Sequence, residues 1–254
     1  MKGYKKTAYI DRKRISTIPD FDFTSFDEEI TTLKNLCEVV KDEKGKEIAQ
    51  AAKNYIIIRL SGIIENELKA CVPKIIDSFE IAPSQVLGAE TMVQVDLDRF
   101  EEDWDLKKLL EEQYKSKQIT MGKIVTLQFK LTNVHSINDV FSGLNNVKNF
   151  FNWFQDIMKP SENMFEYVKK FGAERNDIIH NLKQYEEEHD ELITTINNLQ
   201  GFVKLSFAIT CANIAIEKKI EKGKIQKMWE MGKNPLDKTI SLAEFEKITK
   251  NHKK

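Results

Sequence analysis

From Leu192 to Ile216, apolar side chains return every third or fourth residue: Leu192, Ile196, Leu199, Phe202, Leu205, Ile209, Ala212 and Ile216. That interval keeps one face of an α-helix turned to one side, and holding the phase for about seven turns specifies a single long helix with a continuous buried stripe. The same spacing runs through Ile30, Leu33, Cys37 and Val40, and again through Ile57, Leu60, Ile64, Leu68 and Cys71. Val147, Phe150, Phe151, Phe154 and Met158 give a strongly apolar helix, and Met164, Val168 and Phe171 the stripe of the next one. Ten glycines and five prolines in 254 residues are few for a fold rich in turns. The expected class is all-α, a helical bundle.

The breaks between these stripes are marked locally. Gly45 ends the first stripe, Pro73 kinks or restarts the second helix, and "IAPSQVLG" (81–88) reads as a connection. The acidic run 96–112, with Phe100, Trp104 and Leu110, reads as an exposed helix packed by one stripe. "GKIVTLQFKL" alternates like a strand and also steps like a helix. Thr120 can cap a helix there and no second strand lies nearby to pair, so helix is the reading. Pro160 ends the apolar helix and Ser161 can cap its successor. The closing "GKNPLDKTISLAEFEKITKNHKK" predicts a short connection, a brief amphipathic helix and a frayed basic end.

Several function classes are excluded or weakened. There is no Walker loop, no dinucleotide glycine fingerprint and no cysteine cluster. A net charge of −1 creates no global field for nucleic acid or an anionic membrane, so a polyanion has to meet a local patch. Basic residues gather at the ends: six in residues 1–18 against Asp11 alone, and eleven lysines in 217–254 against six acids. These read as solvated arms or surface helices, with RNA contact as the alternative. Cys37, Cys71 and Cys211 are odd in number and far apart, which fits a reduced, cytoplasmic setting. No apolar core follows the first lysines, and "FVKLSFAITCANIAI" is interrupted by Lys204 and too short to span a bilayer, so no membrane is expected.

Metal and cofactor sites are not expected. His135, His189 and His252 lack partners at ligand spacing. Glu186, Glu187, Glu188, Asp190 and Glu191 read as an acidic first turn favouring the dipole of the following helix rather than as a magnesium site. Phe150, Phe151, Trp153 and Phe154 read as core rather than as a base-stacking platform.

The stretch that carries chemistry is "FGAERNDIIHNL", 171–182. Continuing the stripe of Met164, Val168 and Phe171 by helical steps leads to Arg175, Ile178 and Leu182, so an arginine falls in phase with the core. Two arrangements resolve this. Gly172 breaks the helix and Arg175 snorkels to solvent or pairs with Glu174 or Asp177, or Arg175 stays at the edge of the stripe for a purpose. Asn176 and His180 stand four apart and share a helix face. Arginine can hold a phosphate through two donors, histidine can move a proton near neutral pH, and Asn can orient either. These are the parts for cleaving a phosphodiester without a metal: a base for the ribose 2′-hydroxyl and a cation for the developing phosphorane charge. One such pair is a thin site, and a symmetric dimer would place two copies across a shared groove. Lys169, Lys170 and Lys183 flank the motif and serve equally well as RNA-backbone contacts or ordinary surface residues.

"ERNDIIHN" resembles the Arg-X4–6-His motif of the HEPN superfamily, whose arginine is usually followed by a polar residue, often Asn. The helix "YIIIRLSGIIENELKACV" (55–72), the polar loop after the motif and the long helix from Asp190 resemble the RiboL-PSP-type branch, over roughly residues 50–220. The resemblance implies a HEPN-like helical bundle at 51–220, with an N-terminal basic arm and helix at 1–50 and a basic C-terminal extension at 221–254. It implies dimerisation through the motif-bearing face and a metal-independent endoribonuclease of a toxin–antitoxin or antiviral defence system, with an antitoxin or defence-system partner protein. Arg175 would bind the phosphate, His180 would do acid–base work and Asn176 would orient them. Other members are non-catalytic modules for dimerisation and protein or RNA binding. One branch carries Arg-X4-His-X-Tyr with a tyrosine that its partner modifies. Here Leu182 stands at that place, and the nearest tyrosine is Tyr185.

Overall fold

The computed structural model describes residues 19, 21–41, 45–82, 85–86, 116, 119–127, 129, 131–158, 164–185, 188–218 and 242–253. The basic arm at 1–18, the acidic run 96–112, the Pro160–Ser161 junction and residues 219–241 lie outside these residues. Within them the protein is all-α, with eight helices and no strand. In chain order they are α1 (Thr24–Lys41), α2 (Lys46–Ser78), α3 (Met121–Leu127), α4 (Val134–Asn145), α5 (Phe150–Met158), α6 (Met164–Asn181), α7 (His189–Glu217) and α8 (Leu242–His252).

α7 is the axis of the bundle. Leu192, Ile196, Leu199, Phe202, Leu205, Ile209 and Ala212 are all buried, as their spacing requires. By length and composition this helix would suit a membrane span, but 78% of its most apolar window is buried inside the fold. α1, α2 and α4 pack directly against it. Lys204, which interrupts the apolar run, has a specific task. Its Nζ meets Asp27 Oδ2 of α1 at 2.5 Å, Gln200 Nε2 donates to Asp27 Oδ1 at 2.7 Å, and Lys34 Nζ donates to Gln200 Oε1 at 2.9 Å. One carboxylate thus ties α1 to α7 at the margin of the core.

α2 starts after Gly45 and runs unbroken through Pro73 to Ser78, so the proline neither ends nor restarts it. Against Pro73 lies α3, the segment with two readings, which is a helix. Thr120 caps it by accepting the Lys123 N–H at 3.3 Å. Gly122 lets the two backbones meet: a Cβ there would sit 2.4 Å from the Pro73 carbonyl oxygen. The Gly122 N–H also donates to Asp77 Oδ1 at 2.8 Å.

α5 lies between α6 and α8. Its rings are core, as expected: Phe151 stacks on Phe202 of α7 with centroids 5.8 Å apart and meets Phe165 of α6 edge-on at 5.3 Å. On its other side Trp153 packs on Phe245 of α8 and donates its indole N–H to Thr249 Oγ1 at 3.1 Å. The expected frayed end is therefore wrong. Lys148 N–H donates to the His252 carbonyl at 3.0 Å, Lys253 pairs in an antiparallel bridge with Val147, and its ammonium meets Glu217 and the Asn145 carbonyl. His252 Nε2 lies 2.7 Å from Asp156 Oδ2. The lysines that suggested a solvated tail surround Phe245 and Thr249, which the core takes up.

A candidate motif at the end of helix α6

α6 continues through Gly172 without a break, so the arrangement in which that glycine resets the phase does not occur. Val168, Phe171 and Ile178 face the core, and Arg175 stays in phase with them, half-buried at the edge of the stripe. Neither acid expected as its partner takes it. Glu174 lies 3.8 Å from Lys170, and Asp177 receives Lys183 Nζ at 2.8 Å and Asn181 Nδ2 at 2.7 Å. The guanidinium instead turns along the helix and donates from Nη1 to Asn176 Oδ1 at 2.8 Å. Its Nε–H is shielded from solvent and has no acceptor among the described residues. A buried donor of a charged group left unpaired is costly, so this side chain is held short of full satisfaction.

Asn176 and His180 are both exposed, one helical turn apart. Arg175 and His180, five residues apart, point in directions that differ by about 140° around the helix axis. The bond to Asn176 carries the guanidinium part of the way round this angle. His180 is exposed, and among the described residues nothing bonds to its ring.

The local charge is finely balanced. Lys169 lies 3.6 Å from Glu166, and Lys170 and Lys183 face Glu174 and Asp177, so each flanking lysine already has an acid beside it. The bonds from Lys183 and then Asn181 hold the Asp177 carboxyl below the usual carboxylate range. Of the neighbouring acids, Asp190 and Glu191 form the first turn of α7 as expected, and Glu191 Oε2 accepts the Glu188 N–H at 3.3 Å; Glu186 and Glu187 lie outside the described residues. Among the described residues no group of three His, Cys, Asp or Glu is placed to hold a metal ion.

The helix ends at Asn181, and the next residue, Leu182, has φ 53° although it is not glycine and is 87% exposed. The chain then leaves the helix without regular structure, and Tyr185 turns inward to 3% exposure. Two residues that pattern reading passed over hold it there. Asn54 Oδ1 of α2 accepts the Tyr185 N–H at 2.9 Å, and Gln50 Nε2 donates to the Tyr185 carbonyl at 2.6 Å and to Asn54 Oδ1 at 3.2 Å. The signal available in the sequence was an amide pair four apart in "AQAAKNYIII".

Beside this amide pair α2 leaves apolar groups in solvent. Ile48, Tyr55 and Ile58 are 64%, 55% and 40% exposed, at helical spacing, and Gly62 completes the row with open space above it. No protein-family model, curated protein or solved structure matches the chain.

Proposed function

We propose that the protein is a metal-independent endoribonuclease of the HEPN type, working as a homodimer whose two α6 helices face one groove. The observation that carries the reading is the Arg175–Asn176 bond beside an exposed His180, on the helix that, among the described residues, precedes the long core helix. In this reading Arg175 receives the scissile phosphate, and its poorly satisfied Nε–H gains an acceptor when the anion arrives. His180 takes the proton from the ribose 2′-hydroxyl or returns one to the leaving 5′-oxygen. A second protomer places its own His180 or Arg175 opposite, which removes the difficulty of the wide angle within one helix. The row Ile48, Tyr55, Ile58 is apolar surface that self-association can use. The role is that of a toxin or effector in a prokaryotic toxin–antitoxin or antiviral defence system, in the cytoplasm. Three buried, unpaired thiols fit that compartment. Control by modification of a tyrosine two residues after the histidine has no place here, since Leu182 stands there and Tyr185 is buried.

A second reading has an observation of its own. Each lysine flanking the motif is matched by an acid on α6, which is poor preparation for an RNA backbone. That favours a non-catalytic HEPN module that dimerises and binds protein or RNA.

The deciding experiment is incubation of wild type and His180→Ala with total and transfer RNA in excess EDTA, followed by end-group mapping. The nuclease reading expects cleavage by wild type alone, leaving 2′,3′-cyclic phosphate or 3′-phosphate and 5′-hydroxyl ends. Cleavage by both proteins removes His180 from the mechanism. Folded, dimeric and inert wild type selects the binding module.

A further inference from the structure

The helix end that carries His180 is not held by its own cap alone. Leu182 adopts a left-handed conformation that a leucine disfavours, and the Lys183 N–H reaches back to the Asp177 carbonyl at only 3.2 Å. A second hold on the segment comes from another helix. Gln50 and Asn54 of α2 present one N–H donor and one oxygen acceptor at helical spacing, and Tyr185 meets them with both of its backbone groups, its N–H and its C=O. The two side chains are also bonded to each other, so neither can rotate away without breaking two contacts. The arrangement imitates the pairing of one strand with another, with side-chain amides in place of the second backbone. Burial of the Tyr185 ring adds an apolar anchor under it.

We infer that Gln50 and Asn54 are positioning residues for His180: their grip on the Tyr185 backbone sets where the last turn of α6 ends and so where the imidazole stands. The functional half of this inference rests on the reading of His180 as the acid–base group; the mechanical half does not. An alternative view makes the amide pair simply a weld between α2 and the loop. The two differ in what the imidazole feels. A weld that fails loosens residues 182–185 and leaves His180 unaltered; a positioning contact that fails moves the ring as well.

The test compares wild type, Asn54→Leu and Asn54→Asp by NMR, with the His180 ring signal assigned through His180→Ala. Asn54→Leu removes the acceptor, whereas Asn54→Asp keeps an oxygen for both N–H groups. Asn54→Leu is expected to speed amide exchange at Tyr185 by about three- to tenfold, the worth of one such hydrogen bond, with the core amides of Phe202 and Phe207 unchanged. It is also expected to shift or split the His180 ring signal, and Asn54→Asp to restore both. In the EDTA cleavage assay, Asn54→Leu should lower turnover by about tenfold or more with KM unchanged, as misplacement of a reacting group does. Faster exchange at Tyr185 with an unmoved His180 ring overturns the inference, as does equal damage from Asp and Leu. If wild type cleaves nothing, the nuclease reading fails, and the ring signal by itself decides whether α2 positions His180.

Discussion

Leu182 shows how a single residue can work against the fold that contains it. A left-handed conformation costs a leucine about 1–2 kcal/mol, and at 87% exposure its side chain returns almost nothing through burial. Glycine is the usual residue at this point after a helix, because without a Cβ it meets no such clash. Glycine also adds freedom to the unfolded chain, worth about 0.4–1 kcal/mol in the opposite direction. The difference predicts that Leu182→Gly raises stability by about 0.5 kcal/mol, read as a higher urea midpoint at unchanged slope. Arg175 is the contrasting case. Its sequence neighbours include two acids, and spacing pointed to either of them, yet both are engaged by lysines that lie within six residues. Which partner a charge takes depends on competition among all the side chains around it, and a list of near neighbours does not rank them.

At the scale of elements, the long helices were legible and their meeting points were not. α7 and α1 follow from apolar residues at intervals of three and four, because burying one face is what gives such a helix its stability. Gly122 and Gly62 carry no such mark. One lies where α3 touches the Pro73 backbone and the other on an open face of α2, and only the packing tells them apart. Alanine at Gly122 has to displace backbone atoms at 2.4 and 2.7 Å, so Gly122→Ala is expected to destabilise by about 1–3 kcal/mol. Alanine at Gly62 meets nothing within 4 Å and favours helix, so Gly62→Ala should stabilise by about 0.5–1 kcal/mol. Thermal unfolding of the pair checks both signs at once. The candidate motif was visible as a pattern, Arg175 with Asn176 and His180, since all three lie within one and a half turns. Its support from Gln50 and Asn54 was not. Contacts across 131 and 135 residues leave no periodic trace, and two amides in a helix read as part of a solvated face.

For the molecule as a whole, the thiols set a limit on the alkaline side. Burial, with Glu38 nearby, pushes Cys37 up to about 11; burial raises Cys71, helped by its bond to Glu67, and burial alone raises Cys211. The folded protein therefore keeps these protons at pH values where the unfolded chain has released them. The unfolded state binds fewer protons there, so stability falls as pH rises beyond the ordinary thiol range of about 8.5. Each thiol can contribute a slope of about 1.4 kcal/mol per pH unit until its folded pKa is reached. Urea unfolding at pH 7 to 10 should show a midpoint that drops steeply above pH 9, with a smaller drop in Cys37→Ala. All three thiols should resist alkylation in the native protein and react once it is unfolded.

The docking of α8 on α5 also sets a timetable. Trp153 is covered by Phe245 and Thr249, almost a hundred residues later in the chain, while its aromatic neighbours Phe150 and Phe154 can close on Phe202 well before that. During synthesis, which adds about 5–20 residues per second, there is an interval of several seconds in which the bundle is nearly complete and one tryptophan still lies open. A ribosome that stalls, or a message cut short, anywhere between residues 218 and 244 leaves that ring as a handle for chaperones and proteases. Only chains read as far as α8 cover it, so the clasp reports that synthesis has passed this point.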